Sequence, residues 1–130
     1  MANPKRLLLP VVYCLGIFAL SSIHGDQPDT SWGQLFMWVK PQWQNLLHIP
    51  LFGGLAACWF WALACWRSEF WNRALAAALL TLLYSGFDEW YQLSVPGRFG
   101  SWTDLMLNAL GVMLALLWIG RQQRSSSLLR

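Results

Sequence analysis

Apolar positions fall in four blocks along the chain, and polar positions gather where the blocks end. The first block is LLLPVVYCLGIFALSSI, about residues 7–23, and the second is LLHIPLFGGLAACWFWALACW, about 46–66. A third run, ALAAALLTLLYSGF, stops at Phe87 and leads into DEWYQLSVPGRFGSWTDLMLN; the fourth block covers about 102–120. A helix that crosses a bilayer needs about 17–25 apolar residues. Three blocks meet that length on apolar residues alone. The third, fourteen residues without a charge, makes only about 21 Å of helix. It must borrow residues, either from its end, which takes Asp88 and Glu89 into the membrane, or from FWNR at its start, which leaves Arg73 to snorkel. The predicted spans are therefore about 7–23, 46–66, 74–93 and 102–120.

Composition strengthens that reading. Of 130 residues, 56% are hydrophobic and 12% charged, against about 25% charged in an average soluble domain. A chain this short cannot hide so much apolar surface in one core, so lipid is the expected solvent and membrane lipids the expected partners. The net charge is +3, but the basic residues sit at segment ends. That suits topology and anionic headgroups better than nucleic acid. Lys5, Arg6, Arg67, Arg73, Arg121, Arg124 and Arg130 lie on one side of a four-span chain; Lys40 and Arg98 lie on the other. The asymmetry predicts a bacterial inner-membrane protein with both termini in the cytoplasm and Asp88–Asp104 facing outward. A signal peptide is the alternative for the N-terminus, but Ala19-Leu20-Ser21 is a poor cleavage site and an uncleaved span keeps the asymmetry.

Other segments fill in the picture. In SWGQLFMWVKPQW, Trp32, Leu35, Phe36, Val39 and Trp43 recur at helical spacing, with Pro41 as a break. This predicts a short interfacial helix in the first outer loop. Trp66 and Trp71 flank the inner turn, and Trp90 and Trp102 the outer loop, as an aromatic belt requires. RQQRSSSLLR reads as a solvated tail. Cys14, Cys58 and Cys65 fall inside apolar runs without metal or redox spacing, which predicts inert buried thiols.

The fold expected is thus all-α: an integral-membrane bundle of four transmembrane helices, a single domain over 1–130. Four short helices make a thin bundle, and a homodimer would thicken it.

Topology then brings polar residues to one membrane depth. His48 lies near the outer end of the second span; Asp88, Glu89 and Gln92 near that of the third; Arg98 in the outer loop; Asp104 and Asn108 at the opening of the fourth. Asp88 and Gln92 share a helix face at i, i+4. Asp104, Asn108, Gly111 and Ala115 form a stripe, and Gly111 with Ala115 makes a small-residue pair suited to close helix packing. Gly53 and Ala57 offer the second span a similar seam. Pro96-Gly97 signals a turn that would aim Arg98 back at the carboxylates. Ser101 or Thr103 would cap the fourth helix, with Asp104 in its first turn.

Ionisable groups at membrane depth pair with one another or serve a site. Arg98 suits a phosphate or carboxylate in bidentate geometry. Asp88, Glu89 and Asp104 suit a hard divalent cation, and Glu89 or His48 a general base. HExxH, GxSxG and Walker sequences are absent from the chain, so neither a catalytic residue nor a metal is assigned and no cofactor is expected beyond the option of that cation. Three readings stay open: a site for an anionic lipid or cell-wall precursor headgroup; an intramembrane metal-assisted hydrolase or transferase on a lipid-linked phosphate; and a structural or accessory subunit whose polar cluster locks the bundle.

The pattern DE-x2-Q-x3-PGR-x2-S-x2-D-x3-N-x2-G, carried by Asp88, Glu89, Gln92, Pro96, Gly97, Arg98, Ser101, Asp104, Asn108 and Gly111, resembles the VanZ-like family of small membrane proteins. Upstream, the family's Lys-x2-His-Phe-x2-Tyr element reads Asn45, His48, Ile49 and Phe52 here, so the His matches and its neighbours do not. The resemblance covers about residues 45–118. It implies a four-span fold and a cell-envelope role of the kind linked to glycopeptide (teicoplanin) resistance. It gives no reaction.

Overall fold

The computed structural model describes residues 4–23, 45–64 and 69–128. A 3₁₀ turn, Pro4–Leu7, leads into four α-helices: α1 (Leu8–Ser21), α2 (His48–Leu63), α3 (Phe70–Gln92) and α4 (Trp102–Leu128). Among the described residues there is no strand. The expected interfacial helix around Trp32–Trp43 lies outside the described residues, as does Cys65; Cys14 and Cys58 are free and half-buried.

Local chemistry explains the boundaries. Pro10 and Pro50 sit in the first turns of α1 and α2, where a missing N–H leaves no helical bond unmade. Ser22 closes α1, its hydroxyl donating to the Phe18 carbonyl at 2.7 Å. After α3, Val95-Pro96-Gly97-Arg98 forms the predicted turn: Arg98 N–H donates to the Val95 carbonyl at 3.1 Å, and Gly97 takes φ 73°. Pro followed by a positive-φ Gly is the signature of a type II turn. Ser101 caps α4, with Thr103 N–H donating to its Oγ at 3.1 Å. The two hydroxyls of Ser101 and Thr103 are also hydrogen-bonded.

The third and fourth helices extend beyond their apolar runs. The third helix takes residues from both ends of its apolar run and includes Arg73 as well as Asp88 and Glu89. The fourth does not stop near 120. Arg121–Ser126 are exposed, as a solvated tail should be, yet helical. No Gly or Pro interrupts the segment, and Ser125 and Ser126 donate back to the carbonyls of Arg121 and Gln122, a local bond compatible with a helix.

Close packing is concentrated between α2 and α4. A Cβ at Gly53 would lie 2.9 Å from the Gly111 carbonyl oxygen and 3.5 Å from Ala115 Cβ, and one at Gly111 would fall on the Ile49 carbonyl. The small-residue seam expected from Gly53, Gly111 and Ala115 is therefore present, backbone against backbone. Apolar burial sits in two clusters: Phe60, Leu63, Ala74 and Ala77 between α2 and α3, and Ile17, Phe52 and Leu55 between α1 and α2.

The outside of the bundle is apolar as well. Leu8, Leu15, Leu75, Leu83, Leu117 and Trp118 are all exposed, more than isolated surface hydrophobics explain. Of the described helices, one segment, Trp102–Ser126, is long and apolar enough to cross a membrane. Four helices match the four predicted spans in number, but not all in length. The helices α1 and α2 have 14 and 16 residues, and the polar ends of α3 lower its mean hydropathy.

Candidate functional site

Chain direction alternates through the bundle, so the C-terminal ends of α1 and α3 meet the N-terminal ends of α2 and α4. At that end the core turns polar. Asp88, Glu89, Gln92, Asp104 and Asn108 are all buried there.

Asp88 and Glu89 are neighbours on α3, and consecutive helical side chains diverge by about 100°. They therefore serve two different clusters. The first joins α3 to α1. Asp88 Oδ2 accepts from Ser21 Oγ at 2.9 Å and from Gln92 Nε2 at 2.9 Å, so the i, i+4 pair seen in the sequence is an actual hydrogen bond. Beside it, Ser22 and Tyr91 share a hydroxyl–hydroxyl bond of 3.1 Å, and Tyr84 donates to the Cys14 carbonyl at 2.6 Å.

Arg98 is at this end too, but not on the carboxylates, where its turn was expected to aim it. Its Nε donates to the Ile23 carbonyl and its Nη2 to the Leu20 carbonyl, both at 3.1 Å. The last carbonyls of a helix have no partner within the helix and carry partial negative charge. A guanidinium fork reaches two of these carbonyls at once.

The second cluster joins α2, α3 and α4. His48 Nδ1 is 2.9 Å from Asn108 Oδ1, and Asn108 Nδ2 donates to Ser85 Oγ at 2.7 Å. Glu89 Oε2 accepts the Ser101 backbone N–H at 3.0 Å. That bond depends on Gly100, whose Cβ would lie 2.6 Å from the Glu89 carbonyl oxygen if it had one, so only a glycine lets the loop approach α3. Asp104 stands in the first turn of α4 and is 8% exposed. Ser101 performs the capping, which leaves the Asp104 carboxylate pointed into the cluster. A nitrogen of His48 and one oxygen each of Glu89 and Asp104 lie within 4.8 Å of one another.

Three carboxylate oxygens at this end are buried without a hydrogen-bond partner: Asp88 Oδ1, Glu89 Oε1 and Asp104 Oδ1. Buried polar atoms are nearly always paired. Unpaired acceptors in both clusters are able to take a donor or a cation.

The structure thus brings His48, Glu89, Asp104 and Asn108 into one group, and Asp88 with Gln92 into another beside it. Arg98 lies at the rim; Pro96, Gly97, Ser101 and Gly111 supply the turn, the cap and the helix contact. Sequence reasoning missed Ser21 and Ser85. Ser85 precedes Glu89 by four positions, so the helical stripe carried a signal for it. Ser21 lies near the end of the first apolar block, at the same end of the bundle as the other polar residues.

A VanZ/LLP1 family model matches residues 7–121. No curated protein and no solved structure matches the chain.

Proposed function

The chain belongs to the VanZ/LLP1 family, and from that premise we propose that it is a multi-span protein of the bacterial inner membrane with an outward-facing headgroup site. Family membership suggests a cell-envelope role of the resistance type. The four helices serve as four spans, with α1–α3 completing their crossing through flanking residues, tilt or local thinning of the bilayer. Both termini lie in the cytoplasm in this reading, which the clustering of Lys and Arg on one side supports.

One observation carries the site: three buried carboxylate oxygens without partners at the polar end of an otherwise apolar bundle. The headgroup of an anionic lipid or a lipid-linked cell-wall precursor supplies hydroxyl or amide donors for such acceptors, and Arg98 places a positive charge at the same end for its phosphate. Native mass spectrometry of protein released in mild detergent tests this, wild type beside Glu89→Gln/Asp104→Asn. A co-purifying anionic lipid that disappears in the folded variant is the expected result. Unchanged lipid in both would overturn the reading.

That second outcome would favour a purely structural cluster, which has its own support. The Ser21–Asp88–Gln92 bonds and the Arg98 bonds to α1 already tie α1 to α3 and its following turn without any ligand.

A further inference from the structure

We infer that His48, Glu89 and Asp104 form a site for one divalent transition-metal ion of the zinc class. Nearness of acidic groups would not establish this. Three features of the surroundings do.

The first is the state of the donors. Glu89 and Asp104 are 4% and 8% exposed, and each keeps one buried oxygen with no hydrogen-bond partner. Two carboxylates facing each other in a dry site repel unless a cation or a shared proton lies between them. Arg98, the nearby guanidinium, directs its Nε and Nη2 at the Ile23 and Leu20 carbonyls rather than at these two acids.

The second is the orientation of His48. Asn108 Nδ2 donates to Ser85 Oγ, which leaves Asn108 Oδ1 as an acceptor for the His48 Nδ1–H at 2.9 Å. That bond fixes the imidazole tautomer with the Nε2 lone pair free. A histidine held through its other ring nitrogen by a buried carbonyl-type oxygen is how metal-binding imidazoles are set. The Phe52 ring, stacked at 6.0 Å with an interplanar angle of 2°, holds the imidazole plane.

The third is the support of Glu89. Its Oε2 is pinned by Ser101 N–H, so Oε1 is the oxygen left to bind. The donors come from three helices, two of which are locked together at Gly53 and Gly111.

One imidazole nitrogen and two carboxylate oxygens favour zinc, manganese, iron or cobalt over magnesium or calcium, because the nitrogen ligand selects borderline ions. Donors around zinc bind at about 2.0–2.2 Å and stand about 3.4 Å apart in a tetrahedron. The present group spans up to 4.8 Å, so binding draws the Glu89 and Asp104 carboxylates in around the ion. Three protein ligands leave one position open, as in zinc sites that take an exogenous ligand. Water fills it in the resting protein and a phosphate oxygen of the headgroup replaces it. That last step rests on the headgroup reading above; the metal site itself does not.

Titration of Zn²⁺ into the full-length, chelator-stripped protein in detergent tests the site, with metal content measured by mass spectrometry and Co²⁺ absorption as a second probe. Wild type should bind one Zn²⁺ per chain and give a Co²⁺ spectrum with a nitrogen ligand. His48→Gln, Glu89→Gln and Asp104→Asn should each lose most of that affinity. Asn108→Ala, a positioning change, should weaken it about 10–100-fold. Asp88→Asn, in the neighbouring cluster, should leave it unchanged. Wild type without stoichiometric Zn²⁺ overturns the proposal, as does binding that survives all three ligand substitutions. Zn²⁺ bound with no Glu89-dependent lipid would retain the metal site and sink only the headgroup reading. Glu89-dependent lipid without Zn²⁺ would do the reverse.

Discussion

Asp88 makes two hydrogen bonds through one oxygen and none through the other. Replacing it by Asn keeps an oxygen for Ser21 and Gln92, so stability should change little. Replacing it by Ala removes the acceptor of the buried Ser21 hydroxyl, at about 1–3 kcal/mol, and leaves Gln92 Nε2 only its longer 3.4 Å bond to Ser21 Oγ. Thermal unfolding in detergent should therefore separate the two variants clearly, with Asp88→Ala melting lower and Zn²⁺ affinity reduced in neither folded form. Arg98→Ala should behave in the same way. It removes a donor to the Ile23 carbonyl and one of two donors to the Leu20 carbonyl, so it should loosen α1 and lower the melting temperature while Zn²⁺ binding persists. Loss of Zn²⁺ binding in a folded Arg98→Ala protein would show that the guanidinium serves the second cluster after all.

At the level of helices, much was readable from the chain. Apolar blocks located four helices, and the Asp104–Asn108–Gly111 stripe located the face that α4 turns inward. The seam between Gly53 and Gly111 followed from side-chain size alone. Arg98 was misread, because a Pro-Gly turn gives the direction of the chain but not which acceptor a long side chain will reach. The end of α4 was misread because apolarity marks where a span stops, while helix continues wherever backbone bonds can. The division of Asp88 and Glu89 between two clusters was implicit in helical geometry, yet it needed the position of α1 to become visible. The seam makes its own prediction. Gly111→Leu puts a side chain where the Ile49 backbone lies and should force α2 from α4, with an overpacking cost of about 1–3 kcal/mol. Melting temperature and Zn²⁺ affinity should fall together, since His48 and Asn108 sit on opposite sides of the seam. Gly86→Ala, where a Cβ meets nothing within 4 Å, is the control and should leave Zn²⁺ affinity as it is.

For the whole molecule, the exposed leucines and tryptophans around the bundle suit a hydrocarbon surrounding, and the placement of charge suits one orientation in it. A reporter that fluoresces only in the cytoplasm should be bright when fused after Arg130, and a thiol introduced at Ser94 should react with a membrane-impermeant reagent from outside. A dark C-terminal fusion would reverse the proposed orientation. The Gly53–Gly111 contact also limits how the polar end can open. Helices that touch through their backbones cannot be parted without breaking that contact, so the seam holds His48 near Asn108. Glu89 rides on α3, and α1 is fastened to α3 and its following turn by Ser21 and Arg98. The seam is in this sense a clamp that sets the spacing of three polar residues of the group, while Glu89 is set separately, by the Ser101 N–H.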